Sequence, residues 1–151
     1  MNVYQIVLAL HNIVRWAALI LGILAAVKAI FGWFQDTEWA ELDRKFGLYF
    51  TISIDIQLLL GLLLYFFLSP ITTSAVRDFS TAMGNSGIRF FAIEHAIMML
   101  LAVVFAHLGS ALPKRVDESK AKHRRAAIWF TLAVLAMLLG MPWMRSLFPV
   151  F

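Results

Sequence analysis

Four stretches of the chain are almost continuously apolar, at about 3–34, 46–69, 87–112 and 126–147, and shorter polar stretches separate them. Each exceeds the roughly 20 residues that a helix needs to cross about 30 Å of hydrocarbon. Lipid offers a peptide group no hydrogen-bond partner, so only helices and closed barrels span it. The short alternating segments of a barrel, about ten residues each, do not occur here. The pattern predicts an all-α fold, a four-helix transmembrane bundle that forms one integral-membrane domain over residues 1–151.

The apolar blocks are not uniform. Read at 3.6 residues per turn, the first carries a stripe of small residues: Ala18, Gly22, Ala25, Ala26 and Ala29. The third carries Ala92, Ala102, Ala106 and Gly109, and the fourth Ala126, Ala133, Ala136 and Gly140. Small stripes let helices approach closely in a membrane, and they also leave room for a flat ligand. The first stripe is headed by His11 and Arg15, four residues apart on one face, and the third by His95.

The depths of those polar residues follow from a rise of about 1.5 Å per residue. His11 lies roughly 6 Å into the hydrocarbon, Arg15 roughly 12 Å, and Glu94 and His95 roughly 9–10 Å, all from the same side. Two neutral imidazoles at matched depth on parallel helices are what a b-type haem needs as axial ligands. That makes His11 and His95 the candidate metal ligands. Arg15 is level with Asp55 and Glu94 within one helical turn, so a structural ion pair of Arg15 with either carboxylate is expected. The functional alternative has Arg15 donate to a haem propionate or a quinone carbonyl. Lys28 is read as snorkelling to the interface. His107 has no evident second ligand, and His123, among Lys122, Arg124 and Arg125, is read as solvated at the membrane edge.

Composition narrows the chemistry. The chain is 62% hydrophobic and only 15% charged, against about 25% charged in a soluble domain. It has no cysteine, which excludes disulfides, iron–sulfur clusters, thiolate metal sites and covalently attached c-type haem. Zinc would want three or four converging ligands, and no H-E-x-x-H motif supplies them. The net charge of +4 does not point to nucleic acid. The basic residues serve topology instead. Arg44 and Lys45 in the first connector, with Lys114, Arg115, Lys120, Lys122, Arg124 and Arg125 around the third, form one basic face, while the other face has little beyond Arg77 and Arg145. The positive-inside rule then puts both termini in the periplasm. The first block lacks a basic leader and a small-residue exit, so no cleaved signal peptide is expected. The connector Pro70–Ser86 reads as irregular with one short helical turn, able to fold over the outer mouth. Pro142 is expected to kink or end the last helix.

The segments LHNIVRW (Leu10–Trp16), DIQLLLGLLLYF (Asp55–Phe66), RFFAIEH (Arg89–His95), KHRRAAIWF (Lys122–Phe130) and Pro142-Trp143 resemble a family of small four-span bacterial membrane proteins commonly labelled cytochrome b-like. The resemblance covers nearly the whole chain. His11, Arg15, Gln57, Arg89, Glu94 and His95 fall on the matching positions, and Asp55 stands where the family pattern has histidine. The resemblance implies haem b, a redox setting in the bacterial inner membrane, and a redox partner or larger membrane complex. The leading expectation is a haem-bearing subunit that transfers electrons, with quinol as donor. His11 and His95 would ligate, Arg15 and Arg89 would face propionates, and Glu94 would orient a ligand or accept a proton. A cofactor-free structural or anchor subunit is the alternative expectation. A small proton or solute carrier using Asp55 and Glu94 is the third.

Overall fold

The computed structural model describes residues 2–143, and no strand occurs among them. In chain order the elements are α1 (Val3–Gln35), α2 (Glu41–Leu63), α3 (Pro70–Arg77), α4 (Phe79–Gly84), α5 (Ser86–Arg89), α6 (His95–Ala111) and α7 (Ser119–Leu139). A π-helical turn, Leu64–Leu68, prolongs α2, and a second, Phe90–Glu94, joins α5 to α6. A 3-10 turn, Leu112–Arg115, ends α6. Three rods are long and apolar enough to cross a membrane: Val3–Gln35, Glu41–Leu68 and Ser86–Arg115. Their large side chains belong against a lipid bilayer.

Local chemistry sets the helix ends. Asn2 and Gln5 cap α1 reciprocally through hydrogen bonds of 2.9 Å each. Helix α2 starts at Glu41, earlier than the apolar block suggests, because the Asp43 carboxylate accepts from the Ala40 N–H at 2.8 Å. Asp43 is buried and also lies 3.1 Å from the Lys28 ammonium. Lys28 therefore reaches a specific carboxylate as well as the interface. Helix α7 starts at Ser119, ahead of the apolar stretch. It ends at Leu139 with Gly140 as its C-cap and Pro142 just beyond, as expected of that proline. The expected continuation of this helix to residue 147 lies outside the described residues.

The interior is built from small residues and the exterior from large ones. Ala18, Ala102, Ala106, Ala126 and Ala133 are each 0% exposed, whereas Leu59, Phe67 and Leu139 are exposed. That inverts the arrangement of a soluble core and suits hydrocarbon outside, where close backbone approach rather than water exclusion drives helix association. A few large side chains on α7 then fill holes left by glycine. His123 sits over Gly32 of α1, and Phe130 sits over Gly109 of α6 and Gly47 of α2. Phe130 also meets Phe50 edge-on at 5.7 Å. His123 is thus wholly buried, not solvated, with Trp39 at 4.9 Å between ring centroids. The expectation failed because Gly32 opens a socket for this one side chain, while Arg124 is exposed and Arg125 turns to the Leu112 carbonyl at 3.1 Å.

The first and third connectors meet at one end, as the shared basic face requires. Lys120 pairs with Asp36 at 3.3 Å, and the Trp39 N–H donates to the Ser119 hydroxyl at 3.0 Å.

At the other end the connector expected to be irregular is mostly helical, as α3, α4 and α5. Pro70 at the first position starts α3 with its φ already set. Asp78 caps α4 by accepting from the Thr81 N–H at 3.0 Å, and Asn85 caps α5 by accepting from Gly87 and Ile88 at 3.0 and 3.1 Å. Ala75, Ala82 and Ala92 form a small core where this cap docks. The backbone hydrogen bond from Thr81, with its hydroxyl assisting, holds the Asp78 carboxyl below the usual carboxylate range. A lowered folded-state value means that the cap's stabilisation is present above the unfolded carboxylate range and is lost as pH falls through the folded value. The protection factors of the Phe79–Gly84 amides, measured against their intrinsic exchange rates at each pH, should therefore fall on acidification below pH ~4. Asp78→Asn, which keeps an acceptor without the titration, should flatten that response.

Candidate functional site

Below this cap, α1, α2 and α6 border a half-open cavity of about 420 Å³, within the range of small-molecule and cofactor sites, roughly 300–1,000 Å³. Its polar lining comes mainly from three helices. Helix α1 contributes His11, Asn12 and Arg15, α2 contributes Gln57 with Gly61, and α6 contributes His95. Tyr4, Tyr65, Ser69 and Thr72 add hydroxyls towards the cap, and the rest is apolar, with Met99, Met137 and Met141 among the walls.

The two histidines meet across this space. Their ring centroids are 6.4 Å apart and the planes cross at 65°. Two imidazoles on opposite sides of one metal ion, each nitrogen about 2 Å from it, would stand about 6 Å apart. The spacing fits a bracketed ion.

The second contacts of each ring matter as much. His95 Nδ1 lies 2.7 Å from the Gly140 carbonyl oxygen. A carbonyl has no proton, so Nδ1 is the donor, and in the neutral ring the lone pair is left on Nε2. A backbone carbonyl behind the distal nitrogen is the usual way of fixing the tautomer of a ligating histidine. Gly140 can do this because it ends α7 at the level of His95, where its missing side chain admits Met98 and Met99. His11 has a tighter seat. A Cβ on Gly61 would lie 3.3 Å from His11 Cε1, so glycine lets α2 pass the ring without displacing it by a few tenths of an ångström. His11 Nδ1 and Gln57 Oε1 are buried without hydrogen-bond partners. Buried polar atoms in that state take a partner from outside the chain, a water, an ion or a ligand. Arg15, 7% exposed, shares the wall, and its guanidinium lies 5.7 Å from the Trp16 ring centroid.

Both π turns border the cavity. Leu64 and Tyr65 of the first and Phe91 of the second line it. π turns inside α-helices are rare and concentrate at functional sites. Here they are tied together, with the Tyr65 hydroxyl donating to the Ala92 carbonyl at 2.8 Å. Thr72 of α3 donates to the Tyr65 carbonyl, also at 2.8 Å.

The remaining candidates fall elsewhere. The expected ion pair of Arg15 with Asp55 or Glu94 is not how these carboxylates are held. Glu94 accepts from Arg89 Nε at 2.8 Å, and Asp55 lies 2.9 Å from His107 Nε2. Both pairs are half-exposed, and Arg89 and Glu94 do not line the cavity. The midplane depth of Asp55 brought it level with Arg15 but not onto the same face, so His107 of α6 is its neighbour. Sequence reasoning gave no role to Gly61, Tyr65 or the Gly140 carbonyl. The four-residue spacing of Gln57, Gly61 and Tyr65 was the one signal available. Among the described residues no three or more His, Cys, Asp or Glu side chains converge, so the nitrogen ligands on offer are the two histidines. Neither family profiles, curated proteins nor solved structures give a match to this chain.

Proposed function

We propose that the chain is a b-type haem protein of a bacterial inner membrane, with His11 and His95 as axial ligands, that passes single electrons from a quinol to a redox partner or a larger complex. The observation that carries this reading is the pair of imidazoles 6.4 Å apart, one of them fixed as a ligand tautomer by the Gly140 carbonyl. The orphaned His11 Nδ1, the Gly61 seat and the cavity volume all suit a flat metal-bearing ligand. The cytochrome b-like resemblance points the same way. Haem, when bound, supplies a one-electron couple.

The chain's own residues have separable roles in this reading. Gly140 orients His95, and Gly61 gives His11 its room. Arg15, the one charged group among the described residues that line the cavity, holds the negative end of a ligand, whether a propionate or a quinone oxygen. Arg89 and Glu94 neutralise each other next to His95 and position its helix. Helix α7 is the fourth span. The basic end at Lys114–Arg125 faces the cytoplasm, and both termini face the periplasm.

Purified protein, titrated with haemin in detergent and then reduced with dithionite, should acquire a Soret band that shifts on reduction at one haem per chain. A chain that stays colourless, or binds haem without a low-spin spectrum, overturns the reading. A second reading, a cofactor-free anchor subunit, is favoured by the alanine and glycine interior, which packs α1, α6 and α7 together without a ligand. The same titration separates the two.

A further inference from the structure

Asp55 and His107 are paired well inside the apolar zone. Asp55 is about 15 Å along α2 from Lys45, and His107 about 10 Å along α6 from Lys114. Their side chains are 44% and 53% exposed. An ionisable pair so open at that depth is costly against hydrocarbon and is normally turned towards protein or water.

The chain provides a route for water. A second groove of about 500 Å³ lies between α2 and α6 and is bordered at its far end by Lys114 and Lys122. Asp43, Gly47, Thr51 and Asp55 follow one another at four-residue spacing and line it along α2. Ser110 and His107 line it along α6. The Gly47 carbonyl accepts from Thr51 Oγ1 at 2.7 Å and from Ser110 Oγ at 3.1 Å. Oxygen atoms thus run from the basic end to the Asp55–His107 pair. The charged groups facing this path are Asp43 and Arg44 of α2, Lys114 after α6 and Lys122 of α7. Lys28 of α1 is held by Asp43, and Arg44 by Glu41.

We propose that this groove is a water-filled inlet through which protons from the aqueous phase at the basic end reach the Asp55–His107 pair. A hydronium gives its proton to the pair and leaves as water, and the net charge of the pair rises by one. The reverse step restores it. The inlet stands apart from the histidine cavity, so the tests below use the chain without added haem and do not depend on haem binding.

The chain has no cysteine, so single-cysteine variants report cleanly. In proteoliposomes, Ile52→Cys and Ser110→Cys should react with a charged, membrane-impermeant methanethiosulfonate at least tenfold faster than Val104→Cys, an exposed position on the apolar face of α6. Reaction should come from the basic side only. A pH-jump infrared difference spectrum should show a carboxyl band lost in Asp55→Asn together with imidazole bands lost in His107→Gln. Labelling no faster than at Val104→Cys overturns the proposal, as does fast labelling with neither set of bands. Labelling that is fast in phosphatidylcholine but blocked by phosphatidylglycerol would make the groove a lipid headgroup site and would also overturn it.

Discussion

His11→Ala and His95→Ala should each abolish the reduced-minus-oxidised haem spectrum of the reconstituted protein, while His107→Gln leaves it intact. Losing a hydrogen-bond partner behind a metal ligand weakens a site roughly 10–100-fold, and losing the ligand itself should do more. The two variants should differ in one respect. In His11→Ala the space beside Gly61 is left open, so added imidazole should enter it and restore the band. In His95→Ala the Gly140 carbonyl loses its donor as well. Restoration there requires an imidazole that binds both the carbonyl and the metal, so it should be weaker. His107 serves as the control because its ring engages Asp55 in the other groove. A spectrum that survives both alanine variants, or collapses equally in His107→Gln, removes the assignment of ligands.

The second large effect concerns stability. In Gly32→Ala the new Cβ would fall 2.3 Å from Cε1 and Nδ1 of His123 and 2.6 Å from Nε2. The ring has nowhere to retreat: it is 0% exposed, flanked by Trp39 and within 3.5 Å of the Thr37 hydroxyl. Overpacking of this kind costs about 1–3 kcal/mol. Replacing an interior helical glycine by alanine returns up to ~1 kcal/mol of helix propensity, so with the ring unable to move the net loss should approach about 2 kcal/mol, the upper end of the overpacking range less that gain. Denaturant unfolding in detergent measures it, with Gly84→Ala as the control, since a Cβ there meets nothing within 4 Å. Adding His123→Ala to Gly32→Ala should recover part of the loss, a non-additivity expected only of groups in contact. If Gly32→Ala unfolds at the same denaturant concentration as the parent, the socket is not what packs α1 against α7.

Much of this architecture was legible in the order of residues. The small stripes on the first and third blocks predicted which faces turn inward, and Ala18, Ala102 and Ala106 lie there fully buried. Matched depth predicted that the rings of His11 and His95 approach each other. What stayed hidden depends on contacts far apart in the chain. Nothing near His123 announces Gly32. The partner of Asp55 could not be chosen from depth alone, because depth does not fix rotation. The two π turns leave no mark in hydrophobic periodicity, since five residues at a slightly wider winding look like ordinary helix. The connector after α2 was misread because its serines, threonines and glycine suggested a loop, while Pro70, Asp78 and Asn85 were acting as helix starts.

The turn Phe90–Glu94 holds one residue more than regular winding needs, which puts the segments on either side of it out of phase by about 100°. His95 therefore takes its direction from α6 and the Gly140 carbonyl, and Arg89 takes its own from the outer cap. The Arg89–Glu94 ion pair bridges that change of phase, so the cap and the imidazole point in different directions yet stay joined.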